Sequence, residues 1–155
     1  MTKNTNLETN IIANLDQELA MIREEAMRIV DQYWEWITQK NASRKFVHQS
    51  KMALRVHDTQ SGSFQVEWYA FQWQKTKKGN RQRYISIKKG TGDKYPRQAL
   101  AEHAREWELD KIYEIDDQLA KVRRDVKNLG KIKMAIRLYC KPKGPEYTIP
   151  DPVQS

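Results

Sequence analysis

Cys140 is the only cysteine among 155 residues, which excludes an intrachain disulfide and a thiolate zinc site. Long apolar runs are missing too. Nothing approaches the roughly 20 residues that a membrane-spanning helix requires, and the opening Met1–Asn10 is too polar for a secretory signal. A soluble, cytoplasmic protein without membrane contact is expected. Glycine is scarce where phosphate loops need it: Lys89-Gly90-Thr91-Gly92 lacks the further glycine and lysine of such a loop. The three histidines, His48, His57 and His103, are far apart and form no paired-histidine cluster of the kind a metal-dependent nicking enzyme uses. His48 and His57 meet only if strands bring them together, and solvated surface histidines are the plainer reading. The acids from Glu102 to Asp117 are spaced around a helix rather than converging, as solvated ion pairs would be. No catalytic residues, cofactor or metal are expected, and Cys140 reads as a small buried apolar residue.

Carboxylates are also scarce in the middle of the chain. Residues 41–100 carry 13 basic side chains against 3 acidic ones, Asp58, Glu67 and Asp93, whereas residues 1–40 carry 4 against 7. The formal net charge of +8 is therefore segregated. A segregated cationic block points to a polyanionic partner, whereas evenly spread charge serves solubility alone. Nucleic acid fits best, and an acidic protein surface is the alternative.

With 39% hydrophobic and 31% charged residues, amphipathic helices around a small core fit better than a large buried parallel sheet. Residues 1–5 are expected to be disordered. Thr5-Asn6-Leu7-Glu8 has the form of a capping box. From there Ile12, Leu15, Leu19, Ile22, Ala26, Ile29, Tyr33 and Trp36 step by three and four, a heptad seam predicting a helix over 6–40. Between Arg44 and Lys89 the period changes to two. Met52, Leu54 and Val56 alternate with Lys51, Ala53, Arg55 and His57. Phe64 to Lys75 is rich in β-formers, and Arg83 to Lys88 makes a third strand. Turns at 59–63 and 77–80 imply an antiparallel three-stranded meander over 44–89. Pro96 opens a second helix over 96–130, whose seam runs through Ile112, Ile115, Leu119, Val122, Val126 and Leu129, with Gly130 as a candidate cap. Residues 131–140 read equally as strand or helix, and the proline-rich tail over 142–155 reads as disordered. The expected fold is α+β: two long helices, paired like an antiparallel coiled coil or each with its copy in a dimer, and a β head.

The site expected from this pattern is the cationic set Arg44, Lys45, Arg55, Lys75, Lys77, Lys78, Asn80, Arg81, Arg83, Lys88 and Lys89, forming one electropositive surface between Arg44 and Arg97. Lysines and arginines neutralise phosphates, while arginine forks and the amides of Gln72, Gln74, Asn80 and Gln82 match base edges. Double-stranded DNA is the expected partner, read by a homodimer, since symmetric dimers suit paired half-sites. Trp68, Tyr69, Phe71 and Trp73 leave two readings open: packing against Trp34, Trp36 and Trp107 on the helices, or stacking on the bases of a single strand. A coiled-coil adaptor for an acidic protein is the other alternative.

The order of these elements carries a resemblance. Tyr33-Trp34-Glu35-Trp36 ends the first helix. Glu67-Trp68 and Gln72-Trp73 mark the strands, followed by Lys88-Lys89-Gly90, Tyr95-Pro96, Trp107-Glu108 and Leu129-Gly130-Lys131-Ile132. Across most of its length the chain resembles the MobI proteins of conjugative plasmids and integrative conjugative elements. The resemblance implies an auxiliary mobilisation factor that acts at the origin of transfer, helping a separate relaxase to load and nick. In topology alone it is similar to the three-strands-plus-helix DNA-binding domains of some integrases.

Overall fold

The computed structural model describes residues 2–142. In chain order they form α1 (Thr2–Ala42), a 3-10 turn (Phe46–His48), β1 (Met52–Asp58), β2 (Phe64–Thr76), β3 (Gly79–Ser86), α2 (Arg97–Ala101), a second 3-10 turn (Glu106–Glu108) and α3 (Leu109–Cys140). The architecture is the expected α+β arrangement. The two long helices run antiparallel within one chain. Trp36 lies 6.1 Å from Trp107 at one end of the pair, and the Lys133 ammonium reaches Asp16 at 2.9 Å towards the other.

The strands follow the order β1-β2-β3, all antiparallel. Alternation decides what each face does. Met52 pairs with Ala70, Leu54 with Trp68 and Val56 with Val66. These side chains share the face turned to the helices, where Met52, Leu54, Val66, Trp68 and Ala70 are buried. Ala26, Ile29, Val30, Tyr33 and Ile37 of α1 and Ile112, Ile115, Leu119 and Val122 of α3 complete the core. Each such valine, leucine, isoleucine or methionine side chain taken out of water contributes about 1.5–3 kcal/mol. The Tyr33 ring meets Trp68 edge-on at 5.0 Å, the geometry favoured by aromatic quadrupoles. The sheet thus covers the C-terminal half of α1 and the N-terminal half of α3, and the remaining halves form a two-helix stalk.

Several boundaries differ from the sequence expectation. α1 already begins at Thr2, so residues 2–5 extend the helix and Thr5 lies inside it rather than capping it; extending a formed helix costs far less than nucleating one. The second helix is interrupted. α2 ends at Ala101, and the chain turns before α3 starts at Leu109. The turn is held by tertiary bonds: the Arg105 N–H donates to Glu108 Oε2 at 3.1 Å, and the Arg105 guanidinium donates to the Val47 and Gln49 carbonyls. Gly130 lies within α3 and caps nothing. Residues 131–140 are helical, because α1 continues alongside them. Only Pro142 of the expected tail over 142–155 falls among the described residues.

Two acids expected to be solvated are buried. Asp116 is 2% exposed and Glu108 is fully buried. Asp116 accepts from the Trp68 indole N–H at 3.0 Å, the Tyr95 backbone N–H at 2.8 Å and the Arg123 guanidinium at 2.8 Å. Glu108 accepts from the Ser50 hydroxyl at 2.6 Å. A buried charge is tolerable only when paired and hydrogen-bonded. Asp116 meets that condition through Arg123, whereas Glu108 is hydrogen-bonded by the Ser50 hydroxyl and the Arg105 N–H and forms no ion pair among the described residues.

Candidate nucleic-acid interface

Beyond Ala70 the sheet loses its helical cover. From Gln72 to Thr76 on β2 and from Gly79 to Tyr84 on β3 every residue is exposed. The result is a free two-stranded ribbon, projecting roughly 17 Å at ~3.4 Å per residue. It closes in a tight turn at Lys77-Lys78, with Thr76 opposite Gly79. Gly79 has a φ of 114°, a region that side chains with a Cβ rarely enter. The Thr76 hydroxyl fastens the turn by donating to the Gly79 carbonyl at 2.7 Å.

The register sorts the ribbon's side chains. Gln72 faces Arg83 and Gln74 faces Arg81, so amides and guanidiniums share one face. Trp73 faces Gln82 and Lys75 faces Asn80 on the other. Lys77 and Lys78 lie at the tip. Lys75, Lys77, Lys78, Arg81 and Arg83 place five cations within nine residues, and no acid occurs between Glu67 and Asp93. Among the described residues, none of the ten basic candidates forms an ion pair with a carboxylate. Like charges this close repel one another unless an anion lies between them.

The remaining candidates lie apart from this tip. Arg55 sits on the open face of β1, its guanidinium 4.4 Å from the Tyr84 ring centroid and 5.9 Å from that of Tyr69, which links it to the ribbon. Arg44 and Lys45 lie in the linker after α1. Arg44 donates to the Lys40 carbonyl at 2.8 Å and stacks on Trp107 at 3.7 Å, tying the end of α1 to the turn before α3. Lys88 and Lys89 follow β3 at its far end, beside a cleft of about 740 Å³ between β2 and α3. The Lys89 ammonium donates to the Gly90 and Gly92 carbonyls, bracing the loop. Lys94 pairs with Asp117 at 3.1 Å, and Arg97 lies 4.7 Å over Tyr113. The cationic excess is therefore not one continuous surface. Lys75, Lys77, Lys78, Asn80, Arg81 and Arg83 come together, Arg55 adjoins them, and the others serve the fold or stand elsewhere.

Four of the five tryptophans are spoken for. Trp34, Trp68 and Trp107 donate their indole N–H to Leu54 O, Asp116 and His48 O, and Trp36 packs on Trp107. Trp73 is 53% exposed, its ring centroid 6.4 Å from that of Phe46. On the same open face Phe71 meets Tyr84 edge-on at 5.8 Å. The Tyr69 hydroxyl donates to Glu67 at 2.8 Å; burial and the Glu67 carboxylate push that phenol up to about 12. Sequence reasoning had not singled out Phe46, and the 3-10 turn that delivers it leaves no periodic signal.

His48 ends the 3-10 turn before β1, whereas His57 lies near the far end of that strand, facing Gln65. No group of three or more His, Cys, Asp or Glu side chains suited to a metal ion occurs among the described residues, and none of their helices is long and apolar enough to cross a membrane.

No curated protein and no solved structure matches this chain. The family model described as MobI protein matches residues 22–137, taking in the whole sheet, the C-terminal half of α1 and most of α3, and the chain belongs to this family of accessory mobilisation proteins.

Proposed function

We propose that the chain is a non-catalytic, sequence-selective double-stranded DNA-binding protein that acts at the origin of transfer and assists a separate relaxase. One observation carries this reading: a two-stranded ribbon, exposed along both strands, whose cations have no carboxylate partners among the described residues and whose register gathers Gln72, Gln74, Arg81 and Arg83 on one side. A duplex major groove, about 12 Å wide, admits such a ribbon. In this pose the arginine forks and amides meet base edges, while Lys75, Lys77 and Lys78 neutralise phosphates. Arg55, Lys45 and Lys88 add flanking phosphate contacts. The core behind the ribbon supports a binding role over catalysis, because the oxygens of Asp116 and Glu108 are occupied by protein donors.

The proposal includes a homodimer working in the cytoplasm. The heptad seams are consumed within the chain, so the dimer draws support from the exposed Ile132, Met134, Leu138 and Tyr139 on the stalk. Sedimentation at rising concentration tests it, and a monomer throughout would rule it out.

The deciding experiment for function is a gel shift with duplexes from the element's own transfer origin and with shuffled duplexes. Retention of the cognate duplex at moderate salt, falling steeply as salt rises, is expected. No retained DNA would overturn the reading in favour of an adaptor for an acidic protein.

A further inference from the structure

We infer that the open face of the sheet is a stacking platform for unpaired bases, with Trp73 and Phe46 as its anchor, so that the protein prefers duplex DNA adjoining an unpaired segment. The inference rests on the DNA-binding reading of the ribbon and adds the kind of DNA the site takes.

The face opposite the helices carries Tyr69, Phe71, Trp73 and Tyr84 in neighbouring register positions, with Tyr69 across from Ser86 and Phe71 across from Tyr84. Among the described residues no helix packs on it; Phe46 of the 3-10 turn lies against its Trp73 end. Trp73, Phe46 and Tyr84 are 53%, 65% and 44% exposed, a large aromatic area for a sheet to hold in water. Such area marks a binding surface when it is contiguous. The charge around it selects the occupant. Lys75 and Arg55 stand on the same face, and Lys45 lies in the linker beside Phe46. Glu67 is the one acid on this face, and it already accepts the Tyr69 hydroxyl. Aromatic rings flanked by cations suit a polyanion that also offers flat π faces, which is a nucleic-acid strand with free bases. A fully paired duplex hides those faces and leaves these rings idle. Stacking of one base needs no hydrogen-bond readout, so the platform would hold an opened segment regardless of its sequence while the Gln/Arg face reads the neighbouring duplex.

The test uses the full chain and three labelled probes: a duplex, the same duplex carrying a short unpaired thymidine bubble, and oligothymidine alone. The bubbled duplex is expected to bind about tenfold tighter than the closed one, the scale of a stacked base, with quenching of tryptophan fluorescence. Trp73→Ala should abolish both the gain and the quenching while leaving affinity for the closed duplex unchanged. Trp73→Tyr should keep part of the gain, and circular dichroism should show both variants folded. Equal binding of bubbled and closed duplex, or a gain that survives Trp73→Ala, would overturn the platform and leave the ribbon reading intact. Quenching by oligothymidine without binding of either duplex would instead overturn the ribbon reading, and with it the preference for duplex adjoining an unpaired segment. Self-association that disappears in Trp73→Ala would assign the face to a second copy and overturn the inference.

Discussion

Arg123 reaches back along α3 to Asp116 at 2.8 Å, and the same guanidinium donates to the Val66 carbonyl on β2 at 3.1 and 3.2 Å. A third contact reaches the Asp93 carbonyl at 2.9 Å. One pair on one helix thus fixes both the strand at the root of the ribbon and the loop by which the chain leaves β3. Val66 needs such a donor because β3 departs near Ile87, whose N–H donates to Trp68 O, and no third strand continues beside the start of β2.

Asp116→Ala should therefore destabilise the fold by about 3–5 kcal/mol, the usual cost of leaving one charge of a buried pair alone. It also strips acceptors from Trp68 Nε1 and the Tyr95 N–H. Urea unfolding measures the loss. The double variant Asp116→Ala/Arg123→Ala should cost clearly less than the two single losses added together, because the residues share one network. Additive costs would mean that the pair is not coupled.

How much of this was legible in the sequence depends on whether a residue's role is local or tertiary. The seam from Ile12 to Trp36 and the alternation around Leu54 declare a buried face directly, so helix, meander and helix could be read off. The break after Ala101 could not, because Ala101 and Ala104 are good helix formers and the donors that turn the chain belong to Arg105 reaching Val47 and Gln49. The alternation of Ile132, Met134, Ile136, Leu138 and Cys140 fits a strand as well as a helix; the neighbouring α1 decides. Asp116 and Asp117 are adjacent in sequence, yet one is buried under the sheet and the other pairs with Lys94 at the surface. Spacing says which residues share a helix face, not which face the sheet will cover. The cations of the ribbon were legible as a block, but their division between a Gln/Arg face and an aromatic face needed the register.

That division separates two kinds of contact by mutation. Lys77→Ala/Lys78→Ala should weaken binding to cognate and shuffled duplexes alike and lower the salt slope by about 2, one for each lost phosphate contact. Arg81→Ala/Arg83→Ala should cut cognate affinity by at least roughly tenfold, on the scale of about 1–3 kcal/mol per base-reading arginine, and narrow the gap to shuffled DNA. Helical content should be unchanged in both, since the ribbon lies outside the core. Anisotropy titrations at several salt concentrations read all of this, and cognate binding unaffected by loss of both arginines would remove them from the interface.

Glu108 gives the fold a pH dependence with a definite sign. Burial raises its carboxyl above the ordinary glutamate range, and hydrogen bonds from Ser50 and the Arg105 N–H, with the charges of Arg105 and Arg44, pull it only part of the way back. Because the folded chain holds this proton more tightly than the unfolded one, the contribution is complete below the unfolded value of about 4.3 and is lost as pH rises through the higher folded one. Asp58 runs the other way. Its hydrogen-bonded pair with Arg23 at 2.9 Å holds it below the ordinary aspartate range, so its stabilisation is present above that range and is lost on acidification. Comparing the wild type with Glu108→Gln cancels Asp58, which is common to both. The Tm of the wild type relative to that variant should fall as pH climbs from about 4 to about 7. A difference that stays flat across that interval would mean that Glu108 titrates as it does in the unfolded chain, and its burial between Ser50 and Arg105 would have no electrostatic consequence.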